Sequence, residues 1–205
     1  MEKSKIDYEL ISALDSMVVP DLSNLLFDGK GEIELNRRLS MKLESGIFTS
    51  RVEFSVPFAE GSRNRTDIVM FDKETHNVRA YIECKSCITP DVFQRLTKNN
   101  NFSKLLGDTI NYRLLHYTPL YVIMWTIHWD EMNVATTTRV EQFKYFINHR
   151  NMHLKGFSLS EIKGNIISNF NEIGLGDVIH QCSINSWDVC RGSRASVIAT
   201  LSRVF

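Results

Sequence analysis

A chain of 205 residues, 43% of them hydrophobic and 23% charged, has an ordinary globular composition and enough length for one domain with a sizeable core. Its 24 Lys and Arg balance 24 Asp and Glu, so no bulk charge draws it to phosphate or to a membrane surface. No apolar run approaches the roughly 20 residues of a membrane-spanning helix, and Met1 to Leu10 lacks the apolar core of a secretory signal; an intracellular, cytoplasmic protein without membrane association is expected.

Leu10, Ile11, Leu14, Met17 and Val18 recur at helical spacing and predict a helix ending near Pro20. Asp28 to Gly31 is a turn sequence. From Gly31 to Gly46, Leu35, Leu39 and Leu43 form an apolar stripe that Ile33 widens, and Gly46 is placed to end the helix. Ile47 to Phe58 reads as a strand with Val52, Phe54 and Val56 alternating; Glu53, on the opposite parity, reads as an exposed strand residue. Two more strands, Arg65 to Asp72 and Arg79 to Lys85, flank the polar turn Lys73 to Asn77. Helices are expected at Asp91 to Thr97 and Ser103 to Leu115, separated by a break at the asparagines Asn99 to Asn101. Leu120 to Ile127 is a continuous apolar run of strand length and the best candidate for a central strand. Further helices are expected at Thr137 to Asn148 and from Leu159 to about Asn169, while Val197 to Leu201 reads as a strand or a short helix. The pattern is that of one α/β domain over residues 1–205, with a core at about 30–130 and a helical C-terminal extension over 139–205.

The chemistry concentrates in the hairpin. If the turn is centred on Thr75, Asp67 falls opposite Glu83, where Cβ atoms lie about 4.5–5.5 Å apart. Lys85, two residues on, shares the face of Glu83. Two carboxylates and an ammonium thus meet on an otherwise apolar strand pair. Paired carboxylates suit Mg²⁺, which takes hard oxygen ligands and keeps positions for water and phosphate. An ammonium beside them can orient water or steady developing negative charge. The plainer alternatives are an edge-strand salt bridge, or acids neutralised by Arg63, Arg65 or Arg79.

The ordered set Thr66-Asp67…Glu83-Cys84-Lys85, preceded by an acid-bearing helix, resembles the PD-(D/E)xK nuclease superfamily of restriction endonucleases, Holliday-junction resolvases and phage exonucleases. The likeness covers about residues 30–130, and the family's proline is Thr66 here. It implies a restriction-endonuclease-like fold, with a central mixed sheet flanked by helices on both faces. It further implies metal-dependent phosphodiester hydrolysis, foremost as an endonuclease on DNA. Mg²⁺, with Mn²⁺ as substitute, would be held by Asp67, Glu83 and the backbone carbonyl of Cys84. Glu34 is the choice for the family's helix acid, with Glu32 second, and Lys85 would position the attacking water. Gln94, Asn111 and Tyr112 are candidates for the polar group that such nucleases carry on the next helix. A catalytically inactive nucleic-acid-binding or interaction module of the same fold is the alternative.

Residues 61–115 carry nine Lys and Arg against six Asp and Glu, so the segment around the hairpin is the basic one. Arg63, Arg65, Lys98 and Lys104 are the candidate phosphate contacts, although the loop Gly61 to Arg65 reads equally well as a solvated hairpin loop. One motif set per chain implies a homodimer for double-strand cleavage, with the part beyond Arg139 as the expected interface. The four cysteines read as free thiols: Cys84 falls within a strand, and the gap from Cys182 to Cys190 is not a usual zinc-finger spacing. The six histidines are scattered, with His128 the one to watch. No phosphate-binding glycine loop and no nucleophile elbow occurs, which excludes nucleotide-driven motors and serine hydrolases of that type.

Overall fold

Ser4 opens the first helix in the computed structural model, which describes residues 4–19, 31–44, 46–57, 63–87, 118–129, 177–186 and 195–203. Helix α1, Lys5–Asp15, starts with a capping box in which the Ser4 hydroxyl accepts from the Asp7 N–H and the Ser4 N–H donates to Asp7. It is shorter than its apolar spacing predicted. The β-branched pair Val18–Val19 leaves the helix to form β1, which pairs in parallel with the strand β6 (Asp177–Ser186).

Helix α2 spans Gly31–Leu43 and buries Leu35, Leu39 and Leu43, as the stripe predicts. Ile33 does not widen it: that side chain is exposed, and the buried stripe is completed on its other flank by Asn36 and Ser40. Both polar groups have dedicated partners. Asn36 Oδ1 accepts from Trp125 Nε1 at 3.0 Å, and the Ser40 and Ser50 hydroxyls lie 2.6 Å apart. Each hydrogen bond offsets the cost of burying a polar group.

The remaining strands are β2 (Phe48–Pro57), β3 (Arg63–Asp72), β4 (Val78–Cys87), β5 (Leu120–Trp129) and β7 (Ala195–Arg203). They form a mixed seven-stranded sheet in the order β1-β6-β7-β5-β4-β3-β2. Pairs β4–β5 and β1–β6 are parallel and the others antiparallel. Strand β5 lies fourth of seven, at the centre. Its apolar run is continuous because both faces are covered: Tyr121, Ile123 and Trp125 point to one side, Leu120, Val122 and Met124 to the other, and all six are buried.

The main core lies between one face of the sheet and the two helices, where Leu10, Leu14, Leu35 and Leu39 meet Ile68, Met70, Ile82, Ile123 and Leu201. A smaller cluster of Val69, Tyr81 and Leu120, joined by Phe54 and Phe71, lies on the opposite face. Among the described residues both helices pack on the same face of the sheet, and none covers the other face. The helices expected at 91–97, 103–115, 137–148 and 159–169 lie outside the described residues.

The expected helical extension over 139–205 is corrected for 177–186 and 195–203. This segment supplies β6 and β7, and β7 is inserted between β5 and β6. Val197, Ala199 and Leu201 face the helices, while Ile198, Thr200 and Ser202 are buried on the other side. A strand covered on both faces loses the alternation that marks strands in sequence, which is why this one could also be read as a short helix.

Candidate metal centre

The site grows out of the β3–β4 hairpin, whose turn is fixed by Asp72. Its Oδ1 accepts from the N–H groups of Glu74 (3.1 Å) and Thr75 (2.9 Å), and its Oδ2 pairs with Arg79. These hydrogen bonds, those to the Thr75 backbone foremost, hold the Asp72 carboxyl down at about 2. His76, at φ 57°, completes the reversal. The ladder sets Ile68 opposite Ile82, Val69 opposite Tyr81 and Met70 opposite Ala80, with a bulge between Met70 and Phe71. Continued one step from Ile68, that register brings Asp67 opposite Glu83, the juxtaposition the sequence predicts.

At that step the strands fork. The Cys84 N–H donates to Asp67 Oδ2 at 2.7 Å, so a carboxylate takes the place of a backbone acceptor. Strand β4 meanwhile stays paired with β5 as far as Cys87, opposite Thr126. The fork therefore opens at the carboxyl end of a parallel strand, where α/β sheets commonly bind ligands. Three oxygens converge there on a single cation. Lys85 Nζ lies 3.5 Å from Asp67 Oδ2, 3.5 Å from Glu83 Oε2 and 2.7 Å from the Cys84 carbonyl oxygen. The side chains are 26% exposed at Asp67, 9% at Glu83 and 31% at Lys85, so the group is sheltered but reachable from solvent.

Electrostatics agree with the geometry. Burial works against the Lys85 ammonium, but the carboxylates of Asp67, Glu83 and Glu32 outweigh it and raise the amine above the usual lysine value. The Cys84 thiol faces the helix side of the sheet and is fully buried; desolvation first, then the charge of Asp67, pushes it well above the ordinary cysteine value. It is an inert core group, and only the Cys84 backbone belongs to the site.

The two acids in the first turn of α2 are placed differently. Glu34 is turned away into a pair of arginines: its Oε1 lies 2.8 Å from Arg37 Nη2 and 2.7 Å from Arg38 Nε. Hydrogen bonding from Arg37 foremost holds the Glu34 carboxyl at about 2. Glu32, half-buried in the first turn of α2, is instead the helix acid whose charge reaches Lys85 and Cys84. The signal was present in the spacing. With Ile33 exposed, the buried stripe runs through 35, 36, 39, 40 and 43, so residue 32 lines up with it at three, four and seven residues, and residue 34 falls outside.

Arg65, expected to touch phosphate, pairs with Glu53, and both side chains are exposed. Glu53 occupies the step of β2 between the Val52–Ile68 and Phe54–Thr66 pairs, with a left-handed backbone at φ 51°. It is an exposed strand residue, as expected. Arg79 pairs with Asp72, so it and Arg65 have partners other than the Asp67–Glu83 pair. Lys98, Lys104, Gln94, Asn111 and Tyr112 and the side chains of Arg63 and His128 lie outside the described residues.

Two carboxylate oxygens and a backbone carbonyl gathered on one cation are an all-oxygen donor set. That is what Mg²⁺ and Mn²⁺ require, and the ammonium stands at the place such an ion would share. Comparison of the chain with models of known protein families, with curated proteins and with solved structures finds no match.

Proposed function

We propose that this protein is a metal-dependent nuclease that hydrolyses phosphodiester bonds in DNA as an endonuclease. The observation that carries the reading is the convergence of Asp67 Oδ2, Glu83 Oε2 and the Cys84 carbonyl on Lys85 Nζ in a solvent-reachable fork of the sheet. These three oxygens would hold Mg²⁺, or Mn²⁺ in its place, and Glu32 on α2 would add negative charge from the other side. The bound ion would polarise the phosphate and lower the pKa of a coordinated water. Lys85, kept protonated by its acidic neighbours, orients that water and steadies the charge that develops on the phosphate.

The resemblance in sequence to PD-(D/E)xK nucleases supports the same reading, and a restriction-endonuclease-like core is part of the proposal. The mixed sheet and the position of α2 beside β4 are compatible with it. With one such site per chain, double-strand cleavage would require a homodimer, which light scattering alongside cleavage measures. Among the described residues no helix is long and apolar enough to cross a membrane, and we place the activity in the cytoplasm, where Cys84 and Cys182 would stay as free thiols.

The test is nicking of supercoiled plasmid by the purified chain with Mg²⁺, with Mn²⁺ and with EDTA. Cleavage that requires the ion and vanishes in Asp67→Asn supports the proposal. DNA binding with no cleavage under either ion would favour the inactive binding module instead.

A further inference from the structure

A second set of ligating side chains lies away from this hairpin, where α1 ends against β6. Asp15 is the last residue of α1, and His180 and Cys182 are two apart on β6, so both strand side chains face the same way. One ligand atom from each of the three, a carboxylate oxygen, an imidazole nitrogen and a thiol sulfur, lies within 4.8 Å of the other two. His180 Nε2 is 2.8 Å from Asp15 Oδ1.

Three features distinguish this cluster from an incidental surface contact. The β6–β7 ladder shifts register between Val178 and His180, a bulge immediately before the first strand ligand, and bulges commonly re-aim a side chain. The last turn of α1 has no basic residue, although the negative end of a helix dipole favours a cation there. The cluster is graded in exposure, with Cys182 packed against the core, the His180 side chain 20% exposed and Asp15 half exposed. That grading leaves one side open to solvent.

The geometry points to a transition-metal site of the Zn²⁺ class, formed by Asp15, His180 and Cys182, that ties the end of α1 to β6. Mixed nitrogen, sulfur and carboxylate donors select this class over Mg²⁺ or Ca²⁺. Three protein ligands leave a fourth tetrahedral position, facing solvent, for water. In the metal-free protein the proton on His180 Nε2 holds Asp15 in place; on coordination that proton moves to Nδ1 and the thiol proton passes to solvent. This inference is independent of the nuclease reading, since it shares no residue with the Asp67–Glu83 site.

Co²⁺ serves as the probe, because a bound thiolate gives it a charge-transfer band in the near ultraviolet. The metal-free chain of 205 residues should bind one equivalent with that band, and Zn²⁺ should displace it. Cys182→Ser should abolish the band, and Asp15→Asn should weaken Co²⁺ binding by about tenfold or more. The double variant Asp67→Asn, Glu83→Gln should leave the band unchanged. Absence of the band in the wild-type chain, or its persistence in Cys182→Ser, would overturn the site. If Cys182→Ser fails to fold by far-ultraviolet circular dichroism, Asp15→Asn decides at its exposed carboxylate: unaltered Co²⁺ affinity rejects the proposal.

Discussion

Two groups of acids sit on opposite faces of the same sheet and are treated in opposite ways. Asp7, on the helix side, is fully buried, and its oxygens meet three donors: Ser4 N–H at 2.6 Å, Tyr121 Oη at 2.8 Å and Arg203 Nη1 at 2.8 Å. It pins α1 to β5 and β7. Asp67 and Glu83, on the other face, direct their oxygens at a common point, share Lys85 there and keep contact with solvent. A carboxylate surrounded by its own fixed donors is structural. Carboxylates that converge on one cation, at the end of a flexible and reachable side chain, can exchange that cation for another.

The sharpest way to break this contrast is to neutralise each group. Asp67→Asn or Glu83→Gln should lower plasmid cleavage at least about 100-fold. Thermal stability should stay close to wild type, because relief of like-charge repulsion offsets the ion pair lost with Lys85. Wild-type cleavage in either variant would place the chemistry elsewhere. Lys85→Met should stop cleavage to a similar degree, yet calorimetry should find Ca²⁺ bound at least as tightly as in wild type. The ammonium then no longer competes for the three oxygens. Loss of Ca²⁺ binding would instead make Lys85 an organiser of the metal site.

Asp7→Ala should behave in the reverse manner. It leaves Arg203, with a side chain only 12% exposed, without this partner. The expected loss is about 3–5 kcal/mol in urea unfolding, with Ca²⁺ affinity at the other face unaltered. A loss under 1 kcal/mol (about the worth of a surface pair) would remove the distinction between the two groups.

The smallest effect separates the two helix acids. The Glu34 carboxyl is depressed from 4.5 to about 2 in the folded chain. The stability it contributes is therefore present above its unfolded value and is lost as pH falls through the window from 4.5 to about 2. The urea midpoint should decline across that window less steeply in Glu34→Gln than in wild type, while cleavage at neutral pH is unchanged. Glu32→Gln should instead reduce cleavage. A cleavage defect confined to Glu34→Gln would restore Glu34 as the helix acid.

Local chemistry was legible where period and turn acted alone. The leucine stripe of α2, the hairpin turn at Asp72 to Asn77 and the run of β5 each follow from spacing and turn residues, and the register of the hairpin brings Asp67 opposite Glu83. The spacing failed at Ile33. An apolar residue beside a stripe looks inward in sequence, but here Asn36 and Ser40 occupy the buried flank because Trp125 and Ser50 supply their hydrogen bonds. That substitution rotates the helix relative to the expectation, so that Glu32 is the α2 acid whose charge reaches Lys85.

The hairpin, with its register, its two facing carboxylates and the lysine on their side, follows from residues near one another in the chain, because the period of a strand and the reach of a turn are local properties. Packing of distant segments set what remained: the insertion of β7 beside β5, the orientation of α2 that places Glu32 and not Glu34 near Lys85, and the meeting of Asp15 with His180 across 165 residues. Contacts between such segments are set by shape, burial and the pairing of polar groups, and none of these leaves a period in the chain.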